Sequence, residues 1–196
     1  MRGPLIYVMG PSGAGKDAVM ERARGLLSID DPVVFAHRYI TRPANAGGEN
    51  HICLSPGEFD LRRARGLFAF HWQAHGNDYG IGIEINAWRN AGLSVVVSGS
   101  REHFQRADGI DESTVPVLIT ASAARLQERL AKRGREDAAA SARRLQRSTL
   151  EVAVSNLVTI ENDGAIDDAA EALVRLLAMS RRSPAFRRPA ESAPAR

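Results

Sequence analysis

Lysine is nearly missing from this chain. Among 196 residues it occurs only at Lys16 and Lys132, so arginine supplies almost all of the 26 basic side chains. Cys53 is the single cysteine, which excludes an internal disulfide framework and a cysteine-based zinc site and fits a reducing cytoplasm. No segment approaches the roughly 20 apolar residues of a membrane span. Met1-Arg2-Gly3-Pro4 leads directly into a short strand-like run rather than a signal-peptide core. Internal repeats are also lacking.

What remains is enough to build one domain. Apolar residues make up 44% of the chain, sufficient to bury a core, and the formal charge is only +3. Arginine suits planar, bidentate recognition of phosphates. Anionic small molecules therefore compete with nucleic acid as the explanation for the arginine excess, while a solvated surface accounts for many of these side chains.

Leu5–Met9 reads as a short buried strand and Lys16–Leu27 as a helix with Val19, Ala23 and Leu26 or Leu27 on one face. Val33–Ile40 reads as a second strand. Ser55 is placed to N-cap a helix reaching about Arg65, with Glu58 at capping-box spacing. Phe68–Ala74 and Tyr79–Ile85 are strand-rich segments around a Gly76-Asn77 turn. Leu93–Val97 and Val115–Thr120 are β-branched strands, and a helix runs from Ser122 to Lys132. Glu136–Val154 reads as helix, Leu157–Ile160 as a last strand and Asp167–Met179 as a closing helix. Alternation of this kind predicts an α/β fold with a largely parallel sheet. After Ser180 the composition shifts to Arg, Pro, Ala and Ser, which predicts a disordered tail over 181–196.

Between the first strand and helix, Gly10-Pro11-Ser12-Gly13-Ala14-Gly15-Lys16 fits G-x-x-x-x-G-K. Glycines let successive N–H groups curl around phosphate oxygens, the helix N-terminus adds positive potential, and the lysine reaches the β- and γ-phosphates. ATP or GTP binding is the expectation. Asp17 stands where this motif normally has Ser or Thr, and Leu93–Val97 ends in Ser98-Gly99-Ser100 without the acidic residue often found there. Asp17 therefore either contacts Mg²⁺, directly or through water, or merely favours the helix N-terminus electrostatically.

Together the loop, "RYITRP" (Arg38–Pro43), "GNDYG" (Gly76–Gly80), "RLAKRG" (Arg129–Gly134), "RRL" (Arg143–Leu145) and "END" (Glu161–Asp163) resemble the guanylate kinases in order, over about Leu5 to Met179. The longer string, including Lys16-Asp17, "GENHICLS", "YGIGIEI" and "SGSR", is more similar still to the ribose 1,5-bisphosphate phosphokinases. That resemblance implies a P-loop NTPase three-layer sandwich with a central mostly parallel sheet. It implies a kinase domain over about 1–180, an acceptor-binding insertion over about 37–85 and an arginine lid over about 133–140. The implied reaction uses ATP to convert ribose 1,5-bisphosphate into 5-phosphoribosyl 1-diphosphate in phosphonate degradation. The implied partners are small molecules, with neither nucleic acid nor a membrane.

Departures from guanylate kinase fit this reading. Phe70 stands where guanylate kinases place a base-reading Glu, Ile81 replaces their Ser or Thr, and Ser98 and Ser100 replace their acidic strand end. Guanine needs acceptors for its ring N–H and amino groups, and leaving these unpaired costs about 1–3 kcal/mol each. Arg42 and Tyr79 match phosphate-contacting positions, while a second family arginine falls on Asn45. Arg38 and Arg101 are the replacements available, alongside Asn50 and Ser100, with His37 and His51 in the same loop system. The resemblance makes Arg129, Arg133 and Arg144, with Lys16, the catalytic cations. It places the loop from Gly10 to Asp17, together with Asn162, at ATP, with Mg²⁺ on Asp17. Arg135 and Arg143 have a simple helix-face reading. A guanylate-kinase-type nucleotide kinase and a non-catalytic guanylate-kinase-like binding module are the alternatives. Both are disfavoured, the first by Phe70 and Ile81, the second by the intact loop and the arginines.

Overall fold

Leu5–Met9 forms strand β1 in the computed structural model, and all five of its residues are buried. The structure describes residues 2–46, 49, 51–106, 111, 113–133, 154 and 156–182, without the side chains of 46, 130–133 and 181–182. Side chains alternate across a strand, and β1 feeds two cores. Ile6 and Val8 enter one, while Leu5, Tyr7 and Met9 enter the other. A strand buried on both faces must read as a continuous apolar run rather than an alternating one, which is what the sequence shows.

β1 pairs in parallel with β7 (Ser94–Ser98) on one side and with β8 (Thr114–Thr120) on the other. β2 (Val33–Phe35) adds beyond β7 and β9 (Val158–Glu161) beyond β8, both parallel. Among the described residues the sheet order is therefore β2-β7-β1-β8-β9. Helices α1 (Lys16–Leu26) and α6 (Ile166–Arg182) cover one face, where Val19 and Ala23 share a core with Leu173 and Leu177. Leu126, from α5 (Ala123–Arg133), joins the same core.

A second sheet lies over the other core. Its order is β4-β3-β6-β5, from β3 (Arg38–Ile40), β4 (Ile52–Cys53), β5 (Phe68–Ala74) and β6 (Asn77–Gly82). Phe70 and Ile81 from this sheet meet Tyr7, Val95 and Val97 of the first. α3 (Glu84–Asn90) contributes Ile85, and α4 (Arg101–Arg106) packs Phe104 alongside. Helix, parallel sheet and a mixed layer make the expected α/β arrangement.

Several boundaries differ from the sequence reading. Val33–Ile40 is two strands in different sheets. The chain leaves the first sheet after Ala36, whose N–H still bonds Val96 O at 2.9 Å. The β5–β6 turn is His75-Gly76, with φ of 51° and 74°, the left-handed pair that a tight hairpin demands. Tyr79–Ile85 ends as strand at Gly82 and becomes α3, and α4 was not anticipated. At α2 (Pro56–Ala64) Ser55 Oγ accepts from Glu58 N at 3.2 Å, but the Glu58 carboxylate turns to Arg62, leaving half of the capping box. Of the helix expected over Glu136–Val154 only Val154 is described, and it is not helical; of the tail expected over 181–196 the first two residues continue α6 to Arg182, and the remainder of both lies outside the described residues.

Candidate active site

The loop after β1 is held open by its glycines. Gly13 and Gly15 have φ of 92° and 82°, a conformation costly for any residue with a Cβ. A Cβ at Gly15 would also meet Asn162 Nδ2 at 2.5 Å. Gly15 serves as the N-cap of α1, and among the described residues no side chain caps this helix. Its first N–H groups are thus left for an external acceptor, the arrangement that binds phosphate.

Lys16 points into the cleft and is nearly covered, its side chain 11% exposed. Its Nζ donates to Asp17 Oδ1 at 2.5 Å and to Ser98 Oγ at the end of β7. Ser98 Oγ donates in turn to Asp17 Oδ1 at 3.3 Å. Burial, then the charge of Arg38, pushes the Lys16 ammonium below the ordinary lysine range. Burial works against ionisation of Asp17, yet Lys16 and Arg38 together draw its carboxyl below the usual carboxylate value. Among the described residues no three His, Cys, Asp or Glu side chains cluster as a metal cage. The donor set fits Mg²⁺ held as this ion usually is, through one carboxylate with phosphate and water oxygens.

The charges continue across the cleft with alternating sign. Arg38 Nη2 lies 3.6 Å from Asp17 Oδ1. Arg38 Nε donates to Glu49 Oε2 at 2.5 Å, and its terminal nitrogen reaches the same oxygen. Glu49 Oε1 lies 3.6 Å from Arg42 Nη2. Tyr79 has two planar neighbours: Arg38 Cζ sits over its ring 5.4 Å from the centroid, and Trp72 stacks on it at 5.6 Å and 7°. His51 pins the loop carrying these groups, with Nε2 3.1 Å from Arg42 O and Nδ1 3.2 Å from Glu49 O.

Apart from His51, which is buried, these residues border one cleft of about 770 Å³, which Ser12, Ser100 and Arg101 also line. Phe70 and Ile81 are instead in the core, 7% and 0% exposed. Phe70 packs edge-on against Tyr7 at 6.0 Å. The Tyr7 hydroxyl lies 3.0 Å from His103 Nδ1 and accepts from Ser100 N at 3.2 Å. Burial raises the Tyr7 pKa and, with His71 adding to it, lowers that of His103, so the pair is neutral near pH 7.

Arg129 and Asn162 meet at the back of the loop. Asn162 Nδ2 donates to Ala14 O at 2.7 Å, Arg129 Nη1 donates to the same carbonyl at 3.2 Å, and Arg129 Nη2 donates to Asn162 O at 2.8 Å. Arg129 thus braces the phosphate loop from behind. Of the site residues expected from sequence, Gly10 to Asp17, Arg38, Arg42, Tyr79, Ser100, Arg101, Arg129 and Asn162 come together here. Asn50, Arg144 and the Arg133 side chain lie outside the described residues. Sequence reasoning missed Glu49 and Trp72. A lone acidic residue between Gly48 and Asn50 in an arginine-bearing loop was the available signal for the first, and nothing distinguished the second from a core aromatic.

A Lys-bearing phosphate loop on a parallel sheet, facing a row of arginines, defines a P-loop phosphotransferase. The fold matches that of guanylate kinase from Anaplasma phagocytophilum with a TM-score of 0.71, covering 94% of this chain and 89% of that one at 17% identity. Sequence similarity is closer elsewhere. Ribose 1,5-bisphosphate phosphokinase PhnN from Desulfomicrobium baculatum is 52% identical over 174 residues, 88% of this chain and 93% of that protein. The proteins of the same name from Dickeya zeae and Thiobacillus denitrificans are 48% and 47% identical over 176 residues, each covering 89% of this chain and 93% of the relative. No family model matches the chain. The chain belongs to the ribose 1,5-bisphosphate phosphokinase family.

Proposed function

We propose that this protein transfers the γ-phosphoryl group of ATP to the 1-phosphate of ribose 1,5-bisphosphate, giving 5-phospho-α-D-ribose 1-diphosphate and ADP. An oxygen of the 1-phosphate forms the new bond to the γ-phosphorus, and the bond from that phosphorus to the β-bridging oxygen breaks. The attacking oxygen is already anionic near neutral pH, so positioning and charge stabilisation carry the catalysis rather than a general base.

The loop from Gly10 to Gly15 and the start of α1 receive the ATP phosphates, and Lys16 balances the charge that shifts onto the leaving oxygen. Asp17, with Ser98 beside it, would hold Mg²⁺, which would supply neutralisation of phosphate charge there. Arg38, Arg42 and Tyr79 hold the acceptor phosphate nearest the lysine, Ser100 and Arg101 complete the acceptor side, and family resemblance adds Asn50 to the acceptor-binding residues. Arg129 and Asn162 fix the loop, with Asn162 on the adenine side. By family resemblance Arg133 and Arg144 close over the phosphates. Phosphonate breakdown in the cytoplasm is the setting this reading implies.

The observation that carries the proposal is that Arg38 and Arg42 share the cleft with Lys16 while Phe70 and Ile81, which by resemblance stand at the guanine-reading positions, are buried. ³¹P NMR of the protein with ATP, Mg²⁺ and ribose 1,5-bisphosphate tests it. Appearance of a pair of coupled diphosphate resonances from the sugar, matched by ADP, is expected. Hydrolysis of ATP to free phosphate with the sugar unchanged contradicts the proposal.

A further inference from the structure

Glu49 is a carboxylate of the cleft wall, set between Arg38 and Arg42, that the reaction above does not employ. It lies between β3 and β4 with its side chain 12% exposed, and it borders the cleft. Its two oxygens are used unequally. Oε2 receives both contacts from Arg38. Oε1 faces Arg42 at 3.6 Å, an electrostatic contact longer than a hydrogen bond. An ionised carboxylate has about four lone-pair positions, so Oε1 keeps capacity for a donor from the ligand. A sugar phosphate offers such a donor only through its hydroxyl groups.

The position of Arg38 decides which hydroxyl. Arg38 contacts Glu49 and also lies 3.6 Å from Asp17, the carboxylate that holds Lys16. An anion held by Arg38 is thus the one nearest the transferred phosphoryl group, the acceptor 1-phosphate. The carbon adjoining C1 carries the 2-hydroxyl, whereas the carbon adjoining C5 carries only the ring oxygen. A carboxylate flanking the 1-phosphate meets the 2-hydroxyl, and the arginines on either side offset the repulsion between carboxylate and phosphate.

We infer that Glu49 is an acceptor-specificity residue: Oε1 accepts a hydrogen bond from the 2-hydroxyl of the acceptor ribose while Oε2 holds Arg38 at the reacting phosphate. The inference rests on the function proposed above. Its test compares kcat/KM for ribose 1,5-bisphosphate and 2-deoxyribose 1,5-bisphosphate in the native chain, Glu49→Ala and Glu49→Gln. The native chain should favour the ribose acceptor by at least about tenfold, because a site built around a hydroxyl rejects the analogue lacking it. Glu49→Ala should lower both values and bring their ratio to about one. Glu49→Gln keeps a weaker, neutral acceptor, and its ratio should fall severalfold. An unchanged ratio in both variants, with both acceptors losing equally, reduces Glu49 to an arginine support and overturns the inference. Indifference of the native chain to the 2-hydroxyl overturns it as well. If Glu49→Ala fails to fold, as judged by thermal unfolding, Glu49→Gln alone decides by the same ratio. Turnover of neither acceptor by the native chain removes the proposed function itself, an outcome distinct from a preserved ratio.

Discussion

At the residue scale, the aspartate after the loop lysine exchanges places with a hydroxyl. P-loop enzymes commonly hold Mg²⁺ between a helix Ser or Thr and a strand-end Asp. Here the helix supplies Asp17 and the strand end supplies Ser98, and the two side chains lie 3.3 Å apart. A carboxylate and a hydroxyl are both present, with their origins reversed. Asp17→Ser should keep turnover but raise the Mg²⁺ midpoint by about tenfold, equivalent to about 1.4 kcal/mol. Adding Ser98→Asp should bring it back. Metal titrations of the three proteins check this, and superimposable curves would leave Asp17 as a helix-start residue only. Lys16 gives a prediction in pH. Its pKa is lowered in the free protein by burial and Arg38, and bound phosphates favour the charged form, so the pKa rises on binding. Triphosphate binding should therefore take up protons on the alkaline side, below the ordinary lysine value of about 10.4. Calorimetry in buffers of different ionisation heat measures this uptake. Lys16→Ala should abolish it and lower kcat by about 10²–10³, with the fold intact.

At the scale of elements, what was legible depended on how local the signal was. β1, the loop and α1 form one contiguous unit whose period and glycine spacing state their own structure. The break after Ala36 carries no such mark. Val33–Ile40 is one apolar-rich run, and only the separate pairing of β2 with β7 and of β3 with β6 divides it. α3 is a short helix of seven residues, too short for helical periodicity to outweigh the strand-like Ile81-Gly82-Ile83 before it. Glu49 was illegible for a different reason, since its meaning comes from two arginines brought to it by tertiary structure. The Asn162 latch was visible only as a motif, and its partner Ala14 O was not. Asn162→Ala removes a hydrogen bond of 2.7 Å to that carbonyl and should cost about 1 kcal/mol. For a chain of this size that is a fall in Tm of about 2–4 °C, measurable by scanning calorimetry. Weaker ATP binding should accompany it, because the loop loses a brace. An unchanged Tm would show that Arg129 alone holds the loop.

At the scale of the molecule, one parallel sheet brings the phosphate loop and the arginines of the second sheet to one cleft. The loop follows β1, Ser98 ends the neighbouring β7, and the second sheet carries the arginines to the same cleft. The second sheet also packs Phe70 and Ile81 into the core against Tyr7 and Val97. Phe70 and Ile81 therefore serve the core rather than the cleft. Arg42→Ala should raise the acceptor KM by more than about tenfold while leaving the ATP Kd within about twofold, if Arg42 holds the acceptor phosphate as proposed. The most direct measurement is the ratio of kcat/KM for ribose 1,5-bisphosphate to that for GMP, with ATP and Mg²⁺ held constant. Two or three missing base contacts at about 1–3 kcal/mol each predict a ratio of at least about 10³ in favour of the sugar bisphosphate. Efficient formation of GDP from GMP, with no sugar diphosphate produced, would contradict the account.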